Sequence, residues 1–221
     1  MRRQCGAAAD GRTWVRYFVH GVDREDVDEQ LEELAESHWT YIDGHADALV
    51  ARGPTLSTDG TSHTGSVHVV EAATIDDARR FAFEEPYWLA DIYASVTVSR
   101  FRSAEAGTMW DRPSQHAGSA SSLVLVRWPG QSRPSAGGAD RKLLRTLART
   151  DALVFGGLLI SDDGTQSVGL VAAVDADIGR AAALVAALGL PGPTTSVTSL
   201  RWRRGGRQTP REHPRQPRRE P

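Results

Sequence analysis

Ser57-Thr-Asp-Gly-Thr61 and Ser161-Asp-Asp-Gly-Thr165 are two copies of one turn, and the residues around them decide the fold. Ahead of each turn stands the same tetrapeptide, Asp47-Ala-Leu-Val50 and Asp151-Ala-Leu-Val154. Gly53 matches Gly157, and Gly65 matches Gly169. All these pairs share one offset of 104 residues. The closing segments also match, Ser95-Val-Thr-Val-Ser-Arg-Phe-Arg102 against Ser196-Val-Thr-Ser-Leu-Arg-Trp-Arg203, at an offset of 101. The chain is a tandem duplication whose second copy has lost three residues before its last strand.

Outward from the turns, each copy reads strand, helix, two strands, helix, strand. In copy one, Trp14-Val-Arg-Tyr-Phe-Val-His20 is rich in aromatic and β-branched residues, as strands are. The acidic stretch 23–36 places Val27, Leu31, Leu34 and Ala35 at helical spacing. That pattern runs on through His38, Tyr41 and Ile42 towards Leu49 and Val50, with Gly44 as a point of interruption, and Gly53-Pro54 stops it. Residues 65–72 alternate like a strand. Thr74 caps a helix with Ala78, Phe81 and Ala82 on its apolar face, and Asp77 completes a capping-box variant. Pro86 ends or kinks this helix, and 94–101 is a strand. Copy two repeats the order with strands at 123–128, 151–157, 168–174 and 196–202, and helices at 140–150 and 178–188.

The order β-α-β-β-α-β is the ferredoxin-like split unit. Four antiparallel strands with both helices on one face leave the other face bare, and two such sheets bury those faces against each other. The fold class expected is α+β, two ferredoxin-like β-α-β-β-α-β repeats forming a pseudo-dimeric α+β barrel inside one chain. Repeat one spans 14–103, a polar linker 104–120, and repeat two 121–204. Segments 1–13 and 205–221 are expected to be disordered.

Composition narrows the functional classes. With 40% hydrophobic and 24% charged residues among 221, the chain is neither collagenous nor a coiled coil. No apolar run reaches the ~18–20 residues of a membrane span. The start lacks an apolar signal core, so the cytoplasm is the expected location. The single cysteine, Cys5, forms neither an internal disulfide nor a metal cluster. Net charge is −2, which makes no general case for nucleic acid. It is unevenly spread: residues 203–221 hold seven arginines and two glutamates, about +5, which leaves the rest near −7. The glycines form no phosphate-binding loop or dinucleotide fingerprint. His45, His63 and His68 show no metal-ligand spacing. The expectation is therefore no cofactor and no metal.

In repeat one, four pieces in order resemble the YciI-like (YCII-related) family of the dimeric α+β barrel superfamily. They are the opening strand with Tyr17-Phe-Val-His-Gly-Val-Asp23, the helical segment His38-Trp-Thr-Tyr-Ile42, the pairs Gly53-Pro54 and Gly65-Ser66, and the acid-Pro-Tyr triplet Glu85-Pro86-Tyr87 before a strand ending in Phe101. The family's acid is usually aspartate, and here Glu85 stands in its place. Asp91 stands near a position where the family often has glycine. The resemblance implies a catalytic pair, His38 with Glu85. It also implies elimination, isomerisation or a related lyase step on a small molecule. Histidine's ordinary pKa near 6.5 suits proton transfer at neutral pH, and a carboxylate on one ring nitrogen fixes the tautomer. The plainer alternatives are a surface histidine on a helix and a water-exposed glutamate at a helix end.

Other pocket candidates are Tyr17, His20, Tyr87, Asp91 and Tyr93. Tyr17 and His20 point to opposite sheet faces, so one of them faces the helix-covered side. Tyr87 is read as a proton donor or a wall. In repeat two, Lys142, the only lysine, stands where His38 stands in repeat one, and Leu188-Gly-Leu-Pro191 replaces the acid-Pro-Tyr segment. Repeat two therefore reads as a degenerate structural partner. The leading expectation is a cofactor-independent enzyme with a small-molecule substrate, no membrane and no specific nucleic acid, as a monomeric pseudo-dimer or a further homo-oligomer. The alternatives are a non-catalytic binding or accessory protein, which a ligand would stabilise without turnover, and a partner that docks through the basic tail.

Overall fold

The computed structural model describes residues 13–112, 121–128, 133–135, 137–190 and 196–206. The expected disordered ends beyond 13 and 206, and the linker's 113–120, lie outside the described residues. Repeat one runs β1 (Val15–Asp23), α1 (Asp28–Gly44), β2 (Leu49–Leu56), β3 (His63–Ala72), α2 (Ile75–Phe83), α3 (Pro86–Leu89) and β4 (Tyr93–Ser103). A 3-10 turn, Met109–Asp111, follows. Repeat two runs β5 (Ser121–Arg127), the two-residue β6 (Arg133–Pro134), α4 (Gly138–Ala148), β7 (Leu153–Ile160), β8 (Gln166–Val174), α5 (Ile178–Ala186) and β9 (Ser196–Trp202).

The strands form one sheet in the order β5-β9-β2-β3-β1-β4-β7-β8-β6, and β5 also pairs with β8. The eight long strands therefore close into a barrel, with β6 on the edge of β8. Each repeat supplies a ferredoxin-like quartet, β2-β3-β1-β4 and β7-β8-β5-β9. Two seams join the quartets: β4 to β7 through Arg100–Ser103, and β2 to β9 through Thr55 and Leu56. Closure by hydrogen bonds leaves none of these eight strands as an open edge. An eight-stranded barrel is just wide enough to be filled by side chains. Here Phe18, Val67, Phe101, Leu123, Phe155, Val171 and Trp202 fill it from both repeats. No described helix is long and apolar enough to cross a membrane.

The repeated glycines sit at the seams. A Cβ on Gly53 would lie 1.9 Å from the Arg203 carbonyl oxygen, and one on Gly157 would lie 2.2 Å from that of Arg102. Each closing strand crosses the other repeat over a residue that has no side chain. The duplicated turns also match in detail. Asp59 accepts from the Ser57 hydroxyl (2.5 Å) and the Thr61 amide (3.1 Å), as Asp163 does from Ser161 (2.5 Å) and Thr165 (3.0 Å). These bonds hold both carboxyls down, to about 2.

One stretch folds differently from its periodicity. Leu49 and Val50 do not extend the helix. Helix α1 ends at Gly44, and Leu49–Leu56 is strand β2 with Gly53 and Pro54 inside it. A short apolar run reads equally well as helix or strand. Burial between the barrel and its helix layer decided it, since the strand face carrying Val50 joins the barrel core.

Candidate active site

Helix α1 lies on the outer face of β3 and presents His38 inward, 8% exposed. Helix α2 begins at Thr74, whose hydroxyl accepts from the Asp77 amide while the Asp77 carboxylate accepts from the Thr74 amide. It ends before Glu84, and Pro86 opens the next short helix at its first position. Glu85 is the N-cap of that helix. Its Oε2 accepts from the Trp88 amide (3.2 Å) and its Oε1 accepts from His38 Nδ1. It is 3% exposed, so it is a buried cap and not a solvated helix end. An ionised carboxylate only accepts, so Nδ1 of His38 carries the hydrogen and Nε2 is left as the acid–base atom.

The surroundings fix this ring. Tyr87 stacks on His38 with centroids 4.2 Å apart and planes within 2°. The Tyr87 hydroxyl donates to the Leu31 carbonyl (3.1 Å), which ties α3 to α1 and makes the ring a platform. Burial, with the Glu85 and Asp23 charges, pushes Tyr87 up to about 12. Behind it, Tyr93 meets Tyr87 edge-on, and burial and Glu85 hold its hydroxyl well above 10. His68 of β3 lies 6.1 Å from the His38 ring. Burial, with His38, Arg52 and His45 close by, holds His68 well below its usual pKa.

A cavity of about 410 Å³ opens against His38. His38, Trp39, Arg52, His63, Ser66 and His68 line it from repeat one, and Arg203 to Gly206 line it from repeat two. The Gly205 amide donates to the Arg52 carbonyl (2.9 Å) and the Arg203 amide to that of Pro54 (3.2 Å). Arg204 anchors the segment through the carbonyls of Met109 (2.7 Å) and Arg112 (2.6 Å) and the Asp175 carboxylate (3.0 Å). The pocket of one repeat is thus walled by the end of the other. A more open cavity of about 490 Å³ beside Trp14, Arg16 and Arg100 has no histidine in its lining.

The other sequence candidates divide. Tyr17 faces the helices but is fully buried in the apolar layer with Ile42 and Phe81. His20 follows Phe18 into the barrel interior, 6.2 Å from that ring. Burial and the nearby Arg127 push it down to about 4. Tyr87 and Tyr93 stand behind the pair. Asp91 is exposed, pairs with Arg24 (2.8 Å) and adopts φ 58°. That left-handed backbone is the one glycine favours.

Sequence reasoning missed a second pair. His63 Nδ1 donates to Asp23 Oδ2 at 2.6 Å, and the Asp23 side chain is only 4% exposed. On a regular strand His63 and His68, five apart, face opposite sides. A bulge between Thr55/Leu56 and Gly65/His63 restores His63 to the pocket side. Gly65 permits it: its φ is +155°, and a Cβ there would lie 2.2 Å from the Gly21 carbonyl oxygen. The signal was present in Gly65 and in Asp23 at the end of β1, but only the pairing register joins them.

Repeat two has no counterpart to either pair. Lys142 replaces His38, Ser167 stands in place of His63, and Trp128 follows Arg127 as Asp23 follows Val22. The Trp128 indole is buried there and donates to the Ser167 carbonyl (2.7 Å).

Residues 15–102 match the profile of the YCII-related domain. No curated protein matches the chain. Among solved structures, chlorite dismutase of Candidatus Nitrospira defluvii (a variant in complex with cyanide) aligns at 9% identity and a TM-score of 0.51, over 85% of this chain and 90% of that one. A candidate monooxygenase of Lactobacillus acidophilus aligns at 9% identity and 0.50, over 87% and 97%. The 5-chloro-2-hydroxyhydroquinone dehydrochlorinase of Burkholderia phenoliruptrix aligns at 24% identity and a TM-score of 0.37, over 39% of this chain and 93% of that one. The first two align over most of this chain and share its fold. Residues 15–102 thus resemble the YCII-related domain, and the chain's own tandem repeat closes the α+β barrel around them.

Proposed function

We propose that this pocket is the active site of an enzyme that moves protons on a small molecule. The observation that carries the reading is His38 at the wall of a 410 Å³ cavity, held from behind by the buried Glu85. That size falls in the range of small-ligand pockets. His38 Nε2 is the general base or acid. Glu85 is a positioning residue that holds the tautomer and favours the imidazolium. The chemistry is elimination or isomerisation, a lyase or isomerase step that side chains alone supply. Arg52, Arg203 and the histidines make the lining basic, which suits an oxygen-rich or anionic ring compound of aromatic catabolism or secondary metabolism. Repeat two holds the pocket's outer wall and carries no centre of its own.

The test is turnover of small cyclic ketones, phenols and halogenated ring compounds by the full chain, alongside His38→Ala. A general acid–base group contributes roughly 10²–10⁴-fold. The expected result is a loss of that size in kcat/KM with melting temperature retained. A pocket whose ligands raise the melting temperature without turnover would instead make the protein a binding or accessory module. Full activity in His38→Ala would remove the assignment.

A further inference from the structure

Two histidines, each bonded to a buried carboxylate, border the same cavity, and the proposed proton transfer uses only one. His63 and His38 both line the pocket. Both also lie against Tyr87, His38 stacked on its face and His63 edge-on at 6.3 Å between centroids. Each ring gives its Nδ1 hydrogen to a buried carboxylate, Glu85 or Asp23. Each therefore turns Nε2 to the remaining surroundings as its reactive nitrogen. The His63 side chain is 24% exposed, more open than that of His38 at 10%.

We infer that His63 is a second catalytic residue of this pocket, held by Asp23, so that the enzyme works with two proton-transfer groups at once. The inference rests on His38 being the first. His38 Nε2 takes a proton from a carbon acidified by a neighbouring carbonyl. The C–H electron pair becomes the new C=C bond, and the carbonyl π pair moves onto oxygen. The His63 imidazolium gives its Nε2 proton to that oxygen. One proton leaves the substrate and one enters it, so charge on the substrate never builds up. His38 then releases its proton to water and His63, the more open ring, takes one back. Asp23 is a positioning residue, and its role parallels that of Glu85.

The charged and titratable groups around His63 are few. Asp23 of β1 and Tyr87 of α3 touch it. The same cavity also contains His38 and Asp43 of α1, Arg52 of β2, His68 of β3, and Arg203 and Arg204 beyond β9. Asp43 is paired with Arg52 (2.6 Å) and Arg204 with Asp175 (3.0 Å), so neither is a rival proton donor.

The experiment follows α-deuteration of cyclohexanone, 2-chlorocyclohexanone and cyclohexane-1,2-dione in D2O by the full chain across pH, with His63→Gln, His63→Phe, Asp23→Asn and His38→Ala. The expected wild-type profile is bell-shaped, since one group must be neutral and the other charged. His63→Gln and His63→Phe should lower the rate roughly 100-fold and abolish the alkaline limb, leaving the acid limb set by His38. Asp23→Asn should move the alkaline limb to lower pH, because the imidazolium loses its counter-charge. A purely structural His63 would scale the curve without changing its shape. Wild-type rate and profile in both His63 variants, with His38→Ala inactive, would overturn this inference and leave the His38 reading standing. No acceleration by the wild-type chain on any of the three ketones would overturn both.

Discussion

Glu85 makes two hydrogen bonds with one carboxylate. It caps α3, receives the His38 hydrogen, and sits 3% exposed where an unpaired charge would be costly. Glu85→Ala should therefore lose about 1 kcal/mol from the cap and a further ~1–3 kcal/mol from the orphaned imidazole hydrogen, read by urea denaturation. Glu85→Gln keeps an acceptor at the cap and should cost less stability while still lowering activity. His20 carries a different consequence. Its pKa in the folded state, about 4, lies below the ordinary 6.5, so the unfolded chain binds the extra proton between those values. Its part of the stability is complete above pH 6.5 and is lost as pH falls towards 4, by roughly 3 kcal/mol. The buried His68 acts in the same direction. The register places Leu125 of repeat two where His20 stands in repeat one. His20→Leu should therefore reduce the drop in denaturation midpoint between pH 7 and pH 4.5. An unchanged pH dependence would place the acid sensitivity elsewhere.

At the scale of elements, the bulge in β3 and the crossing over Gly53 position the pocket. Gly53→Ala puts a methyl group 1.9 Å from the Arg203 carbonyl oxygen, and backbone cannot yield as a flexible side chain can. The variant should lose about 1–3 kcal/mol, typical of overpacking. It should also raise amide hydrogen exchange at Arg203 and Gly205, which donate across this seam. Protection equal to wild type at those two amides would show that the seam does not depend on the missing side chain. The capping box at Thr74 was legible in sequence, because caps are local, whereas Glu85 was read only as the acid of the family triplet and its role as a cap was not. The face of β3 that carries His63 was not, because a bulge shifts every later side chain and is defined only by the partner strand.

At the scale of the molecule, each repeat has a bare inner face. Residues 13–112 alone would expose Phe18, Val67 and Phe101 and both seam strands, β2 and β4. That fragment should self-associate, rebuilding the barrel from two copies, and light scattering should give twice its chain mass. A stable monomeric fragment would mean that repeat two is dispensable to the fold.

The sequence by itself determined the duplication, the order of elements in each half, the turns, the helix cap at Thr74 and the candidate histidine. These follow from spacing and from bonds between near neighbours, which a linear reading contains. Only the tertiary structure decided that the two sheets close through hydrogen-bonded seams and that the repeated glycines lie under those seams. It alone buried Glu85 against His38, sent His20 into the barrel, and brought Asp23 to His63 across 40 residues of chain. Such pairs depend on strand register and on which face each element buries, and those are set by the closing of the whole barrel.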